Sequence, residues 1–374
     1  MFYTDIFLET VLAGLWGGQV PVSGIKFHVS CDEAWSAVYQ LAQEQSVQGI
    51  VLGGIEELRA KGIELSVPKV LLLQWIGEVQ MIEQRNEAMN VFIAWLIEKL
   101  RKAGIYSLLV KGQGVAQCYD NPLWRCSGDV DLFLSYDNYE KAKVFLKPLA
   151  QHVDSEDKSR LHLGMTVDGW VVELHGTMHT KLSRRMNCVA DEVHNDIFFN
   201  GKVRSWNDNG VQVFLPNVNN DVIIIFNHII NHFFLEGVGL RQICDWCRLL
   251  WTYKDSLNYG LLEQRIKRAG LMSEWKAFYN LASRYLGMPD LGEGLLACDS
   301  RFDKRADRIM AFVLESGNFG HNKVVSYRVK YSSIVVNAVT LWRRVYDFAR
   351  FMRVFPVDAP KFFGQYLWNR ITRD

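Results

Sequence analysis

The run Arg125-Cys126-Ser127-Gly128-Asp129-Val130-Asp131-Leu132-Phe133-Leu134 sets two aspartates two residues apart in an apolar stretch. On a strand, alternate side chains share a face, so Asp129 and Asp131 point one way while Val130, Leu132 and Leu134 point toward a core. Their Cα atoms would lie about 6–7 Å apart. Two such carboxylates repel and need a proton or a cation to offset them. Hard oxygen donors at this spacing suit Mg²⁺, or Mn²⁺ in its place. A third acid, Glu173, interrupts the apolar run Trp170 to His175, where an acid is costly unless paired or metal-bound. A lone D-x-D is common at solvated strand ends, and Glu173 alone fits a satisfied acid on an open sheet face. If the two strands are neighbours, the three carboxylates converge into a set able to hold two metal ions across an attack on phosphorus.

Cationic and imidazole groups stand nearby in sequence. Lys111-Gly112-Gln113-Gly114 follows an apolar run, where a strand turning into a helix would set Lys111 and backbone N–H groups against a phosphate. A surface lysine at a turn is the plainer alternative. Arg125, four residues before Asp129, could bind phosphate or pair with an aspartate. His228 and His232 have zinc-ligand spacing on a helix, but Ile229 stands where H-E-x-x-H needs glutamate, so a zinc hydrolase is disfavoured. Packing within the helical region, facing the acids, fits these two better, and His175 and His179 could join them. Arg241 and Asp245 have the i, i+4 spacing of an intrahelical pair.

The elements that must position these groups follow from periodicity. Residues 1–103 read as helices, with Ser66-Val67-Pro68 opening a long amphipathic run through Leu96. Residues 104–215 read as α/β: strands at 105–110 and 130–134, a helix to about Tyr119, and another from Asp137-Asn138 to near Pro148. Asp168-Gly169 makes a hairpin of 161–167 and 170–175. A second hairpin joins 203–206 to 211–215 through Asn207 to Gly210. From 216 to 374 the chain is helical again, so the fold expected is α+β, a mixed sheet between two all-helical regions.

Composition narrows the class. The chain has 374 residues, 49% of them hydrophobic and 22% charged, which is enough apolar material for a packed core. Lys plus Arg number 42 against 41 Asp plus Glu, so no overall field favours wrapping DNA. Residues 301–374 carry 14 basic and 6 acidic side chains, either solvated helix faces or a phosphate surface. Seven cysteines without paired metal-ligand spacing suit a reducing compartment. The apolar runs are too short to span a bilayer, and Glu9 breaks the N-terminal one. A cytoplasmic protein is expected.

The pieces Leu109-Val110-Lys111-Gly112, Gly128-Asp129-Val130-Asp131-Leu132 after Arg125, Val172-Glu173-Leu174-His175, and Gly237 to Trp246 together resemble a known family. The chain is similar, over about residues 30–260, to the largely uncharacterised bacterial nucleotidyltransferases of the DNA polymerase beta superfamily. The resemblance implies the minimal nucleotidyltransferase fold, with Asp129, Asp131 and Glu173 as catalytic metal ligands. A nucleoside triphosphate such as ATP would be gripped near Lys111, Gly112, Gln113, Arg125 and Gly128. The superfamily's first motif has glycine or serine after the glycine, whereas Gln113 stands here, which alters the expected grip. The implied reaction moves a nucleoside monophosphate to an acceptor hydroxyl on a small molecule, a protein or an RNA end, the last through the basic C-terminal segment. A nucleotide-binding scaffold without turnover and a tRNA-modifying toxin are the alternatives.

Overall fold

The computed structural model describes residues 2–17, 32–292, 294–317 and 333–371. Helices α1 (Phe2–Trp16), α2 (Asp32–Glu44) and α3 (Gln48–Ala60) come first. α1 crosses α3 so closely that a Cβ on Gly14 would lie 1.8 Å from the Ile50 carbonyl oxygen, and one on Gly54 1.9 Å from that of Thr10. Only glycine permits that approach. α4 (Lys69–Lys102) has 34 residues and is bounded by Pro68, with no side-chain cap. At 1.5 Å per residue it is roughly 50 Å long.

Five strands form the main sheet: β1 (Ser107–Val110), β2 (Asp129–Leu134), β3 (Ala150–Val153), β4 (His162–Val167) and β5 (Trp170–His175), in the order β1-β2-β5-β4-β3. β2 and β5 run parallel; the other neighbours are antiparallel. Between β1 and β2 lies the short α5 (Gly112–Ala116), which ends before the expected Tyr119. α6 (Tyr136–Leu146) follows β2 and is capped by Ser135, which accepts from the Asn138 N–H, rather than by Asp137-Asn138. The β4–β5 hairpin turns at Asp168 (φ 50°) and Gly169 (φ 77°), the left-handed pair that a two-residue turn demands. α7 (Arg184–Phe198) leads to a second hairpin, β6 (Val203–Asp208) and β7 (Val211–Pro216). Its turn is only Asn209-Gly210, so β6 runs two residues beyond the expected Trp206.

The remaining elements are helical: α8 (Val218–Leu235), α9 (Leu240–Thr252), α10 (Tyr259–Ala269), α11 (Met272–Leu286), α12 (Asp303–Ser316), α13 (Ser333–Met352) and α14 (Asp358–Ile371). The architecture is α+β with helical flanks, and no described helix is long and apolar enough to cross a membrane.

The sheet is covered on both faces, and that fixes the phase of its strands. Val130, Leu132, Leu134, Val172 and Leu174 pack with Met89, Phe92 and Leu96 of α4 and Leu146 of α6. Phe133, on the other face of β2, packs into the larger helical core. Each such apolar side chain contributes about 1.5–3 kcal/mol on burial. A one-residue slip of β2 would drive Asp129 and Asp131 into the apolar layer, so packing holds both aspartates on the Phe133 face, away from α4 and α6.

Candidate active site

Asp129 and Asp131 stand on β2, and Glu173 stands beside Asp131 on the adjacent parallel strand. One carboxylate oxygen from each of the three falls within 4.8 Å of the others. Asp131 is only 3% exposed. Its Oδ1 accepts from the Lys111 ammonium at 2.7 Å and lies 2.7 Å from His175 Nε2. Glu173 Oε2 lies 3.2 Å from His162 Nε2 and 3.4 Å from His175 Nε2.

Lys111 reaches this position from the turn between β1 and α5. Its φ of 57° and ψ of −144° are unusual for a residue with a side chain, and Gly112 follows at φ 37°. A non-glycine residue in such a region costs of order 1–3 kcal/mol and persists only where the surroundings hold it. Here the buried ion pair with Asp131 is one such restraint.

The charges do not balance. The Asp129 carboxyl is pushed up to about 6, chiefly by the Asp131 charge, then by burial and by Glu173. Burial would also raise Asp131, but Lys111 and His175 outweigh it and hold Asp131 below the usual carboxylate value. Glu173 behaves likewise: burial opposes ionisation, and bonds from His162 and His175 overcome it. His175 is raised although burial and Lys111 oppose it, because Asp131 and Glu173 favour its charged form. Asp129 thus retains the excess repulsion that a divalent cation would remove. All three carboxylates offer hard oxygen donors, and they fit Mg²⁺ or Mn²⁺.

Two connected chambers meet at this cluster. One, of about 310 Å³, is lined by Lys111, Gly112, Arg125, Gly128, Asp129 and Arg241, among others. The second, of about 240 Å³, is lined by Arg160, His162, Thr177, His179, Asn231 and others. Lys111, Glu173, His228, His232 and Glu236 border both. His228 and His232, with ring centroids 4.2 Å apart, reach this wall from α8. Burial, with His232 and Lys111 nearby, holds His228 well below the usual imidazole value, hence neutral. His232 Nδ1 lies 2.8 Å from Glu236.

The residues expected to grip a triphosphate separate into two groups. Lys111, Gly112, Arg125 and Gly128 line the first chamber. The Gln113 side chain does not: it is 1% exposed, and its amide donates to Asn86 Oδ1 at 2.8 Å inside the protein. Arg125 is held by Asp245, with Nε to Oδ1 and Nη2 to Oδ2 both at 2.7 Å. Tyr119 donates to the same carboxylate at 2.8 Å. The bidentate partner of Asp245 is therefore Arg125, while Arg241, four residues before Asp245 on α9, also feels its charge. Arg241 donates to the Cys126 carbonyl.

His162 was not among the expected site residues, although the hairpin contains the signal for it. Counting back from Asp168-Gly169 sets Val167 against Trp170 and, five pairs on, His162 against His175. The Asn86–Gln113 bond joins segments 27 residues apart, and nothing in the residue pattern marks it.

No curated protein matches the chain. The crystal structure of an antigenic nucleotidyltransferase-like protein from Paracoccidioides brasiliensis is similar over 53% of this chain and 92% of its own, at 15% identity and a TM-score of 0.31. The family model described as uncharacterised nucleotidyltransferase matches residues 32–287, a span that includes all three clustered carboxylates, and the chain belongs to that family.

Proposed function

We propose that the protein is a metal-dependent nucleotidyltransferase of the DNA polymerase beta superfamily, moving a nucleoside monophosphate from a nucleoside triphosphate to an acceptor hydroxyl. The observation that carries this reading is the register of β2 against β5, which sets Glu173 beside Asp131 and brings the three carboxylates within ligand distance of one another. Segment 104–215 carries the chemistry in this reading, and helices α8 and α9 form the facing wall.

Asp129, Asp131 and Glu173 are the residues that would hold the divalent ions. Bound Mg²⁺ or Mn²⁺ would neutralise the phosphates and acidify the acceptor hydroxyl. The triphosphate occupies the chamber of Gly112 and Gly128, where Lys111 and Arg241 provide positive charge as the leaving group develops its own. Arg125 lines that chamber with its charge matched by Asp245, and Gln113 supports the turn from inside. The acceptor enters the histidine-lined chamber. Its oxygen bonds to the α-phosphorus, the bond to pyrophosphate breaks, and the hydroxyl proton leaves to water. Glu173 lies within reach of His162 and His175, and ligation is the role assigned to it here.

The test is calorimetric titration with ATP, CTP, GTP and UTP, with and without Mg²⁺, beside assays for transfer of α-phosphate label. Mg²⁺-dependent binding of at least one triphosphate, lost in Asp131→Asn, is expected. Metal-independent binding, or binding indifferent to Asp131→Asn, overturns the proposal; tight binding without transfer to any acceptor identifies the scaffold instead.

A further inference from the structure

We infer that His162, Glu173 and His175 form a second metal site, one that takes a divalent transition metal of the zinc or ferrous class. The site uses Glu173 but neither aspartate, and it goes beyond nucleotide transfer.

Three observations support it. His162 and His175 are direct cross-strand partners on β4 and β5, and Glu173 lies two residues before His175 on the same face. The Nε2 atoms of both imidazoles aim at one oxygen, Glu173 Oε2, at 3.2 and 3.4 Å. All three donor atoms lie within 4.8 Å of one another. Tetrahedral donors bound at about 2.0–2.1 Å stand roughly 3.3 Å apart, so these two separations already match the edges of a metal polyhedron.

The donor set chooses the ion. Imidazole nitrogen favours zinc, iron and their neighbours, whereas Mg²⁺ prefers oxygen throughout. Two histidines and one carboxylate leave at least one position for water or a substrate oxygen. All three residues border the chamber that also contains Arg160 and His179, so that position serves a molecule bound there. His175 Nε2 also lies 2.7 Å from Asp131 Oδ1. One nitrogen cannot both donate a proton to Asp131 and ligate a metal, so loading this site releases Asp131 from His175, while Lys111 keeps its own contact.

Cobalt reports on such a site, because its visible absorption distinguishes nitrogen-containing from all-oxygen coordination. The chelator-treated full chain is titrated with Co²⁺, followed by absorption and by competition with Zn²⁺. Saturable bands typical of nitrogen ligands, displaced by Zn²⁺ and not by equal Mg²⁺, are expected. His162→Ala weakens Co²⁺ binding by more than the roughly 10–100-fold that loss of a ligand's supporting partner costs. His162 is part-exposed, so this variant keeps its fold, verified by circular dichroism; His175→Ala is the buried counterpart. Asp129→Asn retains the bands. Absence of nitrogen-type bands in the native chain overturns the inference, as does their survival in His162→Ala or their loss in Asp129→Asn; the three residues then form a hydrogen-bonded cluster only. Mg²⁺-dependent triphosphate binding reads the aspartates and cobalt absorption reads the imidazoles, so either proposal can fail alone.

Discussion

Asp245 and Asp131 are almost equally hidden, at 4% and 3% exposed, yet their surroundings differ in kind. Asp245 meets a bidentate guanidinium and a tyrosine hydroxyl, so charge and lone pairs are satisfied within the protein. Asp131 also has partners, Lys111 and His175, but Asp129 and Glu173 add two further carboxylates beside it. The first arrangement closes on itself and ties β2's approach to α9. The second keeps a surplus of negative charge at the mouth of a cavity. A buried acid matched one to one is cement; buried acids in excess of their cations mark a place for something else.

Breaking the matched pair should give the largest effect. Arg125→Ala takes both guanidinium bonds from buried Asp245, and loss of one partner of a buried ion pair costs about 3–5 kcal/mol. Guanidinium unfolding measures it. Adding Asp245→Asn to the same chain removes the stranded charge and recovers much of the loss. If the double variant is no more stable than Arg125→Ala, the pair is not the cement described.

Asp131→Asn should show the opposite profile. It relieves Asp129 of its chief repulsion, and Lys111 keeps Glu173 and Asp129 as neighbouring counter-charges, so the unfolding midpoint changes less than that of Arg125→Ala. Under the proposed function, nucleotidyl transfer falls by about 10²–10³-fold or more, the scale set by removing one preorganised electrostatic group. Single-turnover label transfer reads this. Equal stability losses in the two variants would erase the distinction between the two aspartates.

Gln113 tests the boundary between the regions. Its amide donates to Asn86 Oδ1, and Asn86 Nδ2 in turn donates to the carbonyls of Leu123 and Arg125. Gln113→Leu leaves a buried acceptor without its donor, a loss of about 1–3 kcal/mol in stability. Nucleotide affinity is expected to stay unchanged, because the side chain does not reach the chamber. A variant of native stability with weakened nucleotide binding would return Gln113 to the phosphate side.

These contrasts show what a sequence can disclose. The alternation of Asp129 and Asp131 with Val130 and Leu132 is written in period two, and the phase seen in the sheet is the same. The Asp168-Gly169 turn makes the β4–β5 pairing readable residue by residue, including the unnoticed His162 opposite His175. The parallel pairing of β2 with β5 is different. It joins segments about forty residues apart through packing on α4 and α6, and no local pattern encodes it. β3 carries no readable signal for a related reason: Ala150-Gln151-His152-Val153 is short, mostly exposed and has a register shift against β4. The Arg125–Asp245 bond spans 120 residues, beyond the reach of local spacing, which shows only the i, i+4 neighbour Arg241.

The smallest effect is a pH dependence, and it isolates the unmatched charge. Asp129 is half protonated at about 6, well above its ordinary 3.8, because Asp131 repels its ionised form. A cation needs the ionised carboxylate, so Mg²⁺-dependent nucleotide binding should rise about tenfold per unit below that value and level off above it. In the metal-free chain the sign is reversed. A raised folded-state value favours folding most below 3.8, and the contribution is lost as pH climbs through about 6. Asn cannot take up the proton, so Asp129→Asn should flatten both limbs even where residual binding is weaker. Calorimetry and unfolding across this range decide the matter. A native binding profile that is level across it would mean that Asp129 has a counter-charge after all, and the two aspartate environments would then differ only in degree.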